Sequence, residues 1–222
     1  MSATYNFAFQ VINKLLKIFY NLLYHRFAWT YDFVAASVSI GMWDEWVYSV
    51  LPDLNGPRVL ELGFGPGHLQ LALRQRSIQS FGIDQSKEMA AIANQRLRDG
   101  GSTSHLVNGI AQDLPFEKRT FHQVVTTFPT EFIIDPLTLK ETWRVLKPGG
   151  SLLVLPVAWI TGKSVLKRTA AWVFRVTGQS PEWDDQFHEP FNEAGFVTQV
   201  KKMKLKSSCL VIIIAEKRKS EV

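Results

Sequence analysis

One cysteine in 222 residues excludes an internal disulfide, and with it the stapled frameworks of small secreted domains. That residue, Cys209, opens the apolar run 209–214 and reads as a buried, inert thiol, so no cysteine nucleophile is expected. No run of eighteen or more apolar residues occurs, which excludes a membrane-spanning helix as an expectation. The N-terminus lacks a positively charged start and a small-residue cleavage site, so it does not read as a secretion signal. No His/Cys cluster suggests a metal site, and metal-independent chemistry is expected. Internal repeats and low-complexity tracts are also lacking. An apolar fraction of 46% and a charged fraction of 20% exclude wholesale disorder. A cytoplasmic protein fits these features best.

What is present in excess is positive charge. The formal net charge is +5, concentrated in 201–206 and in the tail Lys217-Arg218-Lys219. Such charge permits contact with nucleic acid or an anionic membrane, and equally describes a solvated basic face that aids solubility.

The chain has two textures, and its length suits one buried domain with an appendage. Residues 1–50 read as an aromatic-rich helical cap, and 51–222 as an α/β domain, joined through Pro52 to Pro57. In the cap, Asn6, Gln10, Asn13, Lys14, Lys17 and Asn21 form a narrow polar stripe at helical spacing. The remaining face is apolar and wider than one packing neighbour requires. It suits a lid on the domain, a dimer contact or a membrane interface.

In the second region short apolar runs alternate with helical patterns, which predicts a parallel sheet with crossover helices. Strands are expected at 58–62, 80–84, 105–107, 123–127 and 151–155, with an antiparallel pair at 197–202 and 208–215. Helices are expected after the glycines through Leu73, over 86–98 with Ser86 as N-cap, over 136–146 and over 191–194. Residues 159–185 interrupt the alternation. There Lys163, Lys167, Arg168 and Arg175 interleave with Val165, Leu166, Trp172 and Phe174, the pattern of a basic amphipathic helix.

The chemistry concentrates in Glu61-Leu62-Gly63-Phe64-Gly65-Pro66-Gly67-His68. An apolar strand running into alternating glycines at a helix start lets backbone approach a ligand closely and presents free N–H groups. The spacing is G-x-G-x-G, and the acid Glu61 precedes it, which disfavours a pyrophosphate and favours a cationic ligand. Asp84 ends the next strand, where a carboxylate can accept two ribose hydroxyls. A nicotinamide-dependent oxidoreductase is therefore the weaker reading.

These residues resemble the class I S-adenosylmethionine-dependent methyltransferases, and in particular the ubiquinone/menaquinone-biosynthesis C-methyltransferase branch (methyltransferase type 11). The carriers are Glu61 to Gly67, Gly82-Ile83-Asp84-Gln85-Ser86-Lys87-Glu88-Met89, Asp113-Leu114-Pro115-Phe116 and Glu141-Thr142-Trp143-Arg144-Val145-Leu146-Lys147-Pro148-Gly149-Gly150. Upstream, Tyr31-Asp32, Ser39-Ile40-Gly41 and Trp46 look like that branch's N-terminal signature. The resemblance implies a Rossmann-like, mostly parallel seven-stranded sheet with an antiparallel terminal hairpin. It implies S-adenosyl-L-methionine as cofactor and S-adenosyl-L-homocysteine as product. Gly63, Phe64, Gly65 and Gly67 would line the methionine part, with Glu61 near its ammonium and Asp84 on the ribose. Gln85 and Met89 would flank the adenine, Ile110 and Ala111 would meet its edge, and Thr127 would border the methyl group. Tyr31 would close over the cofactor.

Two departures stand out. Ile110 stands where family members often carry an acid, and His122 where aspartate is common. Candidate bases for the acceptor are Glu131, Asp135 and His25, each of which also reads as a solvated or capping residue. His68 reads as structural. Two amphipathic helices beside one site favour a lipid-like acceptor, a quinone precursor or phospholipid headgroup, at an anionic membrane surface. A soluble aromatic or other small molecule is the alternative, and a non-catalytic nucleoside-binding interaction protein a further one. No nucleic-acid substrate is expected, and both monomer and homodimer remain open.

Overall fold

The computed structural model describes residues 39, 41–103, 105–161 and 188–218. The amphipathic segment before Ser39 and most of the expected insertion at 159–185 lie outside the described residues.

A short helix, α1 (Trp43–Tyr48), and a 3₁₀ turn at Leu51–Asp53 lead into the sheet. Strands and helices then alternate: β1 (Arg58–Leu62), α2 (His68–Gln75), β2 (Gln79–Asp84), α3 (Lys87–Asp99), β3 (Leu106–Asn108) and β4 (Phe121–Thr127). A 3₁₀ turn at Glu131–Ile134 precedes α4 (Pro136–Val145) and β5 (Leu146–Ile160). The chain ends in α5 (Glu189–Glu193), β6 (Val197–Lys204) and β7 (Ser208–Glu216).

The seven strands lie in the order β3-β2-β1-β4-β5-β7-β6. The first five are parallel, and β7 pairs antiparallel with both β5 and β6. Strand order reverses between β1 and β4, so the crevice at their carboxyl ends is where such a sheet takes a ligand. Both faces are covered, which is why the central strands are apolar on both sides. On one face Leu139 of α4 and Phe191 of α5 pack with Phe121, Val124 and Leu152. On the other, Trp46, Val47 and Val50 join Leu69 and Leu73 of α2 against Val125, Leu153 and Ile212. Trp46 is 1% exposed, and its indole N–H donates to the Ser208 hydroxyl at 2.9 Å, tying α1 to β7.

The join at 52–57 is pinned by one side chain. Gln123 of β4 accepts from the amides of Asn55 and Gly56 and donates to the Asp53 carbonyl. One amide group thus satisfies three main-chain groups that a half-buried loop would otherwise leave unpaired.

Two expectations need correction. The fifth strand does not stop at Leu155 but runs to Ile160, so Trp159 and Ile160 belong to the sheet and not to an insertion. Pro156 is absorbed because β4 pairs with β5 only as far as Leu155, and register against β7 shifts between Val154 and Val157. The fourth strand starts at Phe121, so His122 lies within it, not before it.

Candidate functional site

At the carboxyl end of β1 the chain turns through three left-handed glycines, Gly63 (φ +71°), Gly65 (φ +51°) and Gly67 (φ +84°). Two of them show different reasons for being glycine. A Cβ on Gly67 would lie 2.8 Å from Ala93 Cβ, so α2 and α3 can pack this closely only without a side chain there. Among the described residues a Cβ on Gly65 would meet nothing within 4 Å and would stand in open space above the loop. Close packing sets the first, and room beside the backbone the second.

The loop is tied to β2 at both levels. Gly63 donates its amide to the Ile83 carbonyl at 2.8 Å, and Gly65 donates to Asp84 Oδ2 at 2.9 Å. The other oxygen, Asp84 Oδ1, accepts from the Ser86 amide at 2.9 Å. Ser86 in turn caps α3, its hydroxyl accepting the Met89 amide at 3.1 Å. The Asp84 carboxylate is therefore oriented by one main-chain N–H on each oxygen.

Glu61 is 2% exposed and accepts from Gln70 Nε2 of α2 at 2.8 Å. Burial pushes its carboxyl up to about 8, against the Gln70 hydrogen bond that lowers it, and the Asp84 charge adds to the rise. In the ligand-free protein this group is largely a neutral acid at pH 7. The carboxyl is held in the interior by Gln70.

The loop after β3 carries Ile110, 48% exposed, and Ala111, 8% exposed. Gly109 donates to the Asp84 carbonyl, and Asn108 Nδ2 donates to the carbonyls of Asp84 and Gln85, which sets this loop against the end of β2. Gln85 is exposed beside it, whereas Met89 is fully buried in α3. The helical period that buries Ala93 and Leu97 buries Met89 with them.

The far side of the crevice contains residues that sequence reading missed. Phe132, in the 3₁₀ turn, reaches over Gly63, where a Cβ would lie 3.6 Å from its ring. Phe128 follows Thr127 at the end of β4 with φ +50°, a conformation costly for a residue with a side chain, and stacks on Trp43 at 4.7 Å between centroids. Thr127 itself is half-buried at the strand end. Gln112 donates to Asp135 Oδ2 at 3.0 Å, joining the post-β3 loop to the start of α4. The only sequence signal for these residues was their place after strands three and four.

Of the candidate bases, Asp135 caps α4 by accepting the Leu137 amide at 2.8 Å. The Gln112 and Leu137 hydrogen bonds hold its carboxyl below the usual range, which makes it a weak base. Glu131 is exposed in the 3₁₀ turn. His25 and Tyr31 lie outside the described residues. His68, in the first turn of α2, faces Asp44 of α1 at 3.4 Å, in keeping with a structural role. His122 lies 3.0 Å from Lys147 Nζ. Its ring is pushed toward the neutral form by burial, then by Lys147 and Arg58.

The strand order, the glycine loop and the carboxylate closing β2 define the fold of the class I S-adenosylmethionine-dependent methyltransferases. Residues 59–150 match the family model described as "Methyltransferase domain". In sequence the chain resembles the quinone-biosynthesis branch of that class. It is 32% identical over 139 residues to a demethylmenaquinone methyltransferase of Thermotoga maritima, covering 60% of this chain and 59% of the relative. It is 29% identical over 169 residues to the ubiquinone/menaquinone biosynthesis C-methyltransferase UbiE of Blochmanniella floridana, covering 71% of this chain and 66% of the relative. The chain thus spans less than two thirds of the length of these two relatives. Among solved structures, a Haemonchus contortus phosphoethanolamine N-methyltransferase, in complex with phosphomonomethylethanolamine and S-adenosylhomocysteine, shares the fold with TM-score 0.58. Its identity is 17%, over 81% of this chain and 57% of that one.

Proposed function

We propose that this protein is an S-adenosylmethionine-dependent methyltransferase acting on a lipid-like acceptor, a quinone precursor or a phospholipid headgroup. The observation that carries the cofactor reading is the junction between Gly65 and Asp84: open space above a left-handed glycine, beside a carboxylate fixed by two amides. A carboxylate oriented this way suits paired ribose hydroxyls, because it has about four acceptor directions and a fixed plane. Ile110, exposed next to it, offers an apolar surface to an adenine ring, with Ala111 and Gln85 adjoining. Gly63, Phe64, Gly65 and Gly67 shape the wall for the methionine part.

Glu61 suits a cation although it is buried. Its buried proton is held at about 8 in the ligand-free protein. An ammonium placed above the loop favours the carboxylate form and draws that proton off. When bound, S-adenosylmethionine supplies a methyl group activated by its sulfonium. The chain's own work is then to hold the acceptor in line and exclude water. Thr127, Phe128 and Phe132 border the place where an acceptor would sit. If a base is needed, Glu131 and Asp135 are the described candidates, and Asp135 also serves as the cap of α4.

The names of the two quinone-pathway relatives support the acceptor class. The two amphipathic segments legible in the sequence favour work at the inner face of a membrane. Transfer of labelled methyl from S-adenosylmethionine tests the reading. A quinone precursor or phospholipid presented in vesicles should become labelled. Label appearing only in soluble aromatic acceptors would overturn the lipid assignment.

A further inference from the structure

Strand β6 is the free edge of the sheet, and its two faces treat their lysines differently. Side chains alternate along a strand, so odd and even positions face opposite sides. On the odd face Lys201 is neutralised by Asp53, its Nζ donating to both carboxylate oxygens at 2.8 and 2.7 Å. On the even face Lys202 and Lys204 are exposed, and Lys206 follows, exposed, at the hairpin tip. Among the described residues none of the three has an acidic partner. Their cross-strand neighbours on β7 are Val211 for Lys202 and Cys209 for Lys204, which are uncharged. Val200, one step earlier on the same face, is 46% exposed. Thr198, at the beginning of the strand, donates its hydroxyl to Asn192 of α5.

The stripe also has a definite position. Strand β6 runs in the same direction as β5, since both are antiparallel to β7. Lys204 sits level with Cys209 and Trp159, beyond Leu155 where β4 pairing ends. The lysines therefore rise at the end of the sheet that carries the glycine loop and Phe128. Like charges about 6–7 Å apart on one strand face repel, and nothing inside the described fold offsets them.

We propose that Lys202, Lys204 and Lys206, with Val200 beside them, form a docking surface for an anionic lipid bilayer, turning the substrate end of the sheet toward the membrane. A half-exposed valine within a basic stripe suits the headgroup boundary, where apolar and charged contacts add, and offers nothing to a nucleic-acid backbone. The proposal rests on the acceptor class given above for its purpose, though the surface can be tested separately. Each lysine facing an anionic membrane contributes about fivefold to partitioning, so three give about a hundredfold.

The full chain is titrated with phosphatidylglycerol/phosphatidylcholine vesicles, with pure phosphatidylcholine vesicles and with duplex DNA. It is compared with the Lys202→Gln/Lys204→Gln/Lys206→Gln variant. The expected result is binding to the anionic vesicles only, weakened about a hundredfold in the variant and suppressed by salt. Wild-type binding that the variant retains would overturn the proposal, as would no binding or a preference for DNA. Edge strands also carry lysine to prevent pairing between copies. A variant that self-associates while binding vesicles normally would assign that role and overturn docking. Calorimetric binding of S-adenosylhomocysteine in the same samples reports on the cofactor site: retained, it localises any failure to the membrane surface, and lost in the wild type, it is the enzymatic reading that fails.

Discussion

The amide of Gly65 donates to Asp84 Oδ2 at 2.9 Å, so the glycine loop and the end of β2 form one rigid corner. Each partner depends on the other. The loop keeps its left-handed turn because the carboxylate anchors its middle residue, and the carboxylate keeps its plane because amides of Gly65 and Ser86 hold both oxygens.

Replacing Asp84 by alanine removes both these anchors and the proposed ribose acceptor. S-adenosylhomocysteine affinity should fall by about 1–3 kcal/mol by calorimetry, the cost of lost hydrogen bonds to a charged group. Unchanged affinity in a folded variant would contradict the ribose role.

Two glycine substitutions should separate stability from binding. Gly67→Ala drives a Cβ to 2.8 Å from Ala93 Cβ at φ +84°, and should destabilise by about 2–4 kcal/mol through strain and overpacking. Gly65→Ala meets no atom of the described residues, so its expected stability cost is the left-handed strain, about 1–2 kcal/mol. Its new methyl group stands in the space proposed for the cofactor, so ligand affinity should fall more than melting temperature. Equal behaviour of the two variants in thermal melts and calorimetry would count against this division.

Glu61 makes stability depend on pH. Its folded pKa of about 8 lies above the ordinary value of 4.5, so the folded chain holds this proton more tightly than the unfolded one. The stabilisation is complete below about 4.5 and is lost as pH rises through about 8, with a ceiling of about 5 kcal/mol. Melting temperature should therefore decline between pH 5 and 8, and Glu61→Gln should flatten that decline. Parallel curves for the two proteins would place the carboxyl in water.

A second clasp steadies the loop after β3. Arg144 of α4 donates to the carbonyls of Phe116 at 2.6 Å and Leu114 at 2.8 Å, while pairing with Glu141, which accepts the Leu114 amide. Arg144→Met should lower stability by about 2 kcal/mol and loosen the loop bearing Ile110 and Ala111. Hydrogen exchange at residues 110–116 should accelerate relative to β1, and uniform protection would argue that the loop stands without the clasp.

Much of this architecture was legible because it is written locally. Alternating apolar runs marked the strands, Gly63, Gly65 and Gly67 marked the turn, and Ser86 marked the start of α3. The extension of β5 past Pro156 was hidden, because a proline reads as a stop unless one knows that β4 ends at that level. Asp84 and the glycines could be joined from spacing, but Gln70 beneath Glu61 could not, since helical position alone does not say which polar side chain turns inward. Phe128, Phe132 and Gln123 act through residues distant in sequence. Their roles arise from contacts with Trp43, Gly63 and the 52–57 join, and no local pattern announces them.

The most direct test of the central claim is a calorimetric titration of the full chain with S-adenosylmethionine, S-adenosylhomocysteine and NADH. The corner formed by Gly65 and Asp84 predicts micromolar binding of both sulfur nucleosides and none of NADH. Failure to bind either sulfur nucleoside, or binding of NADH in their place, would contradict the account.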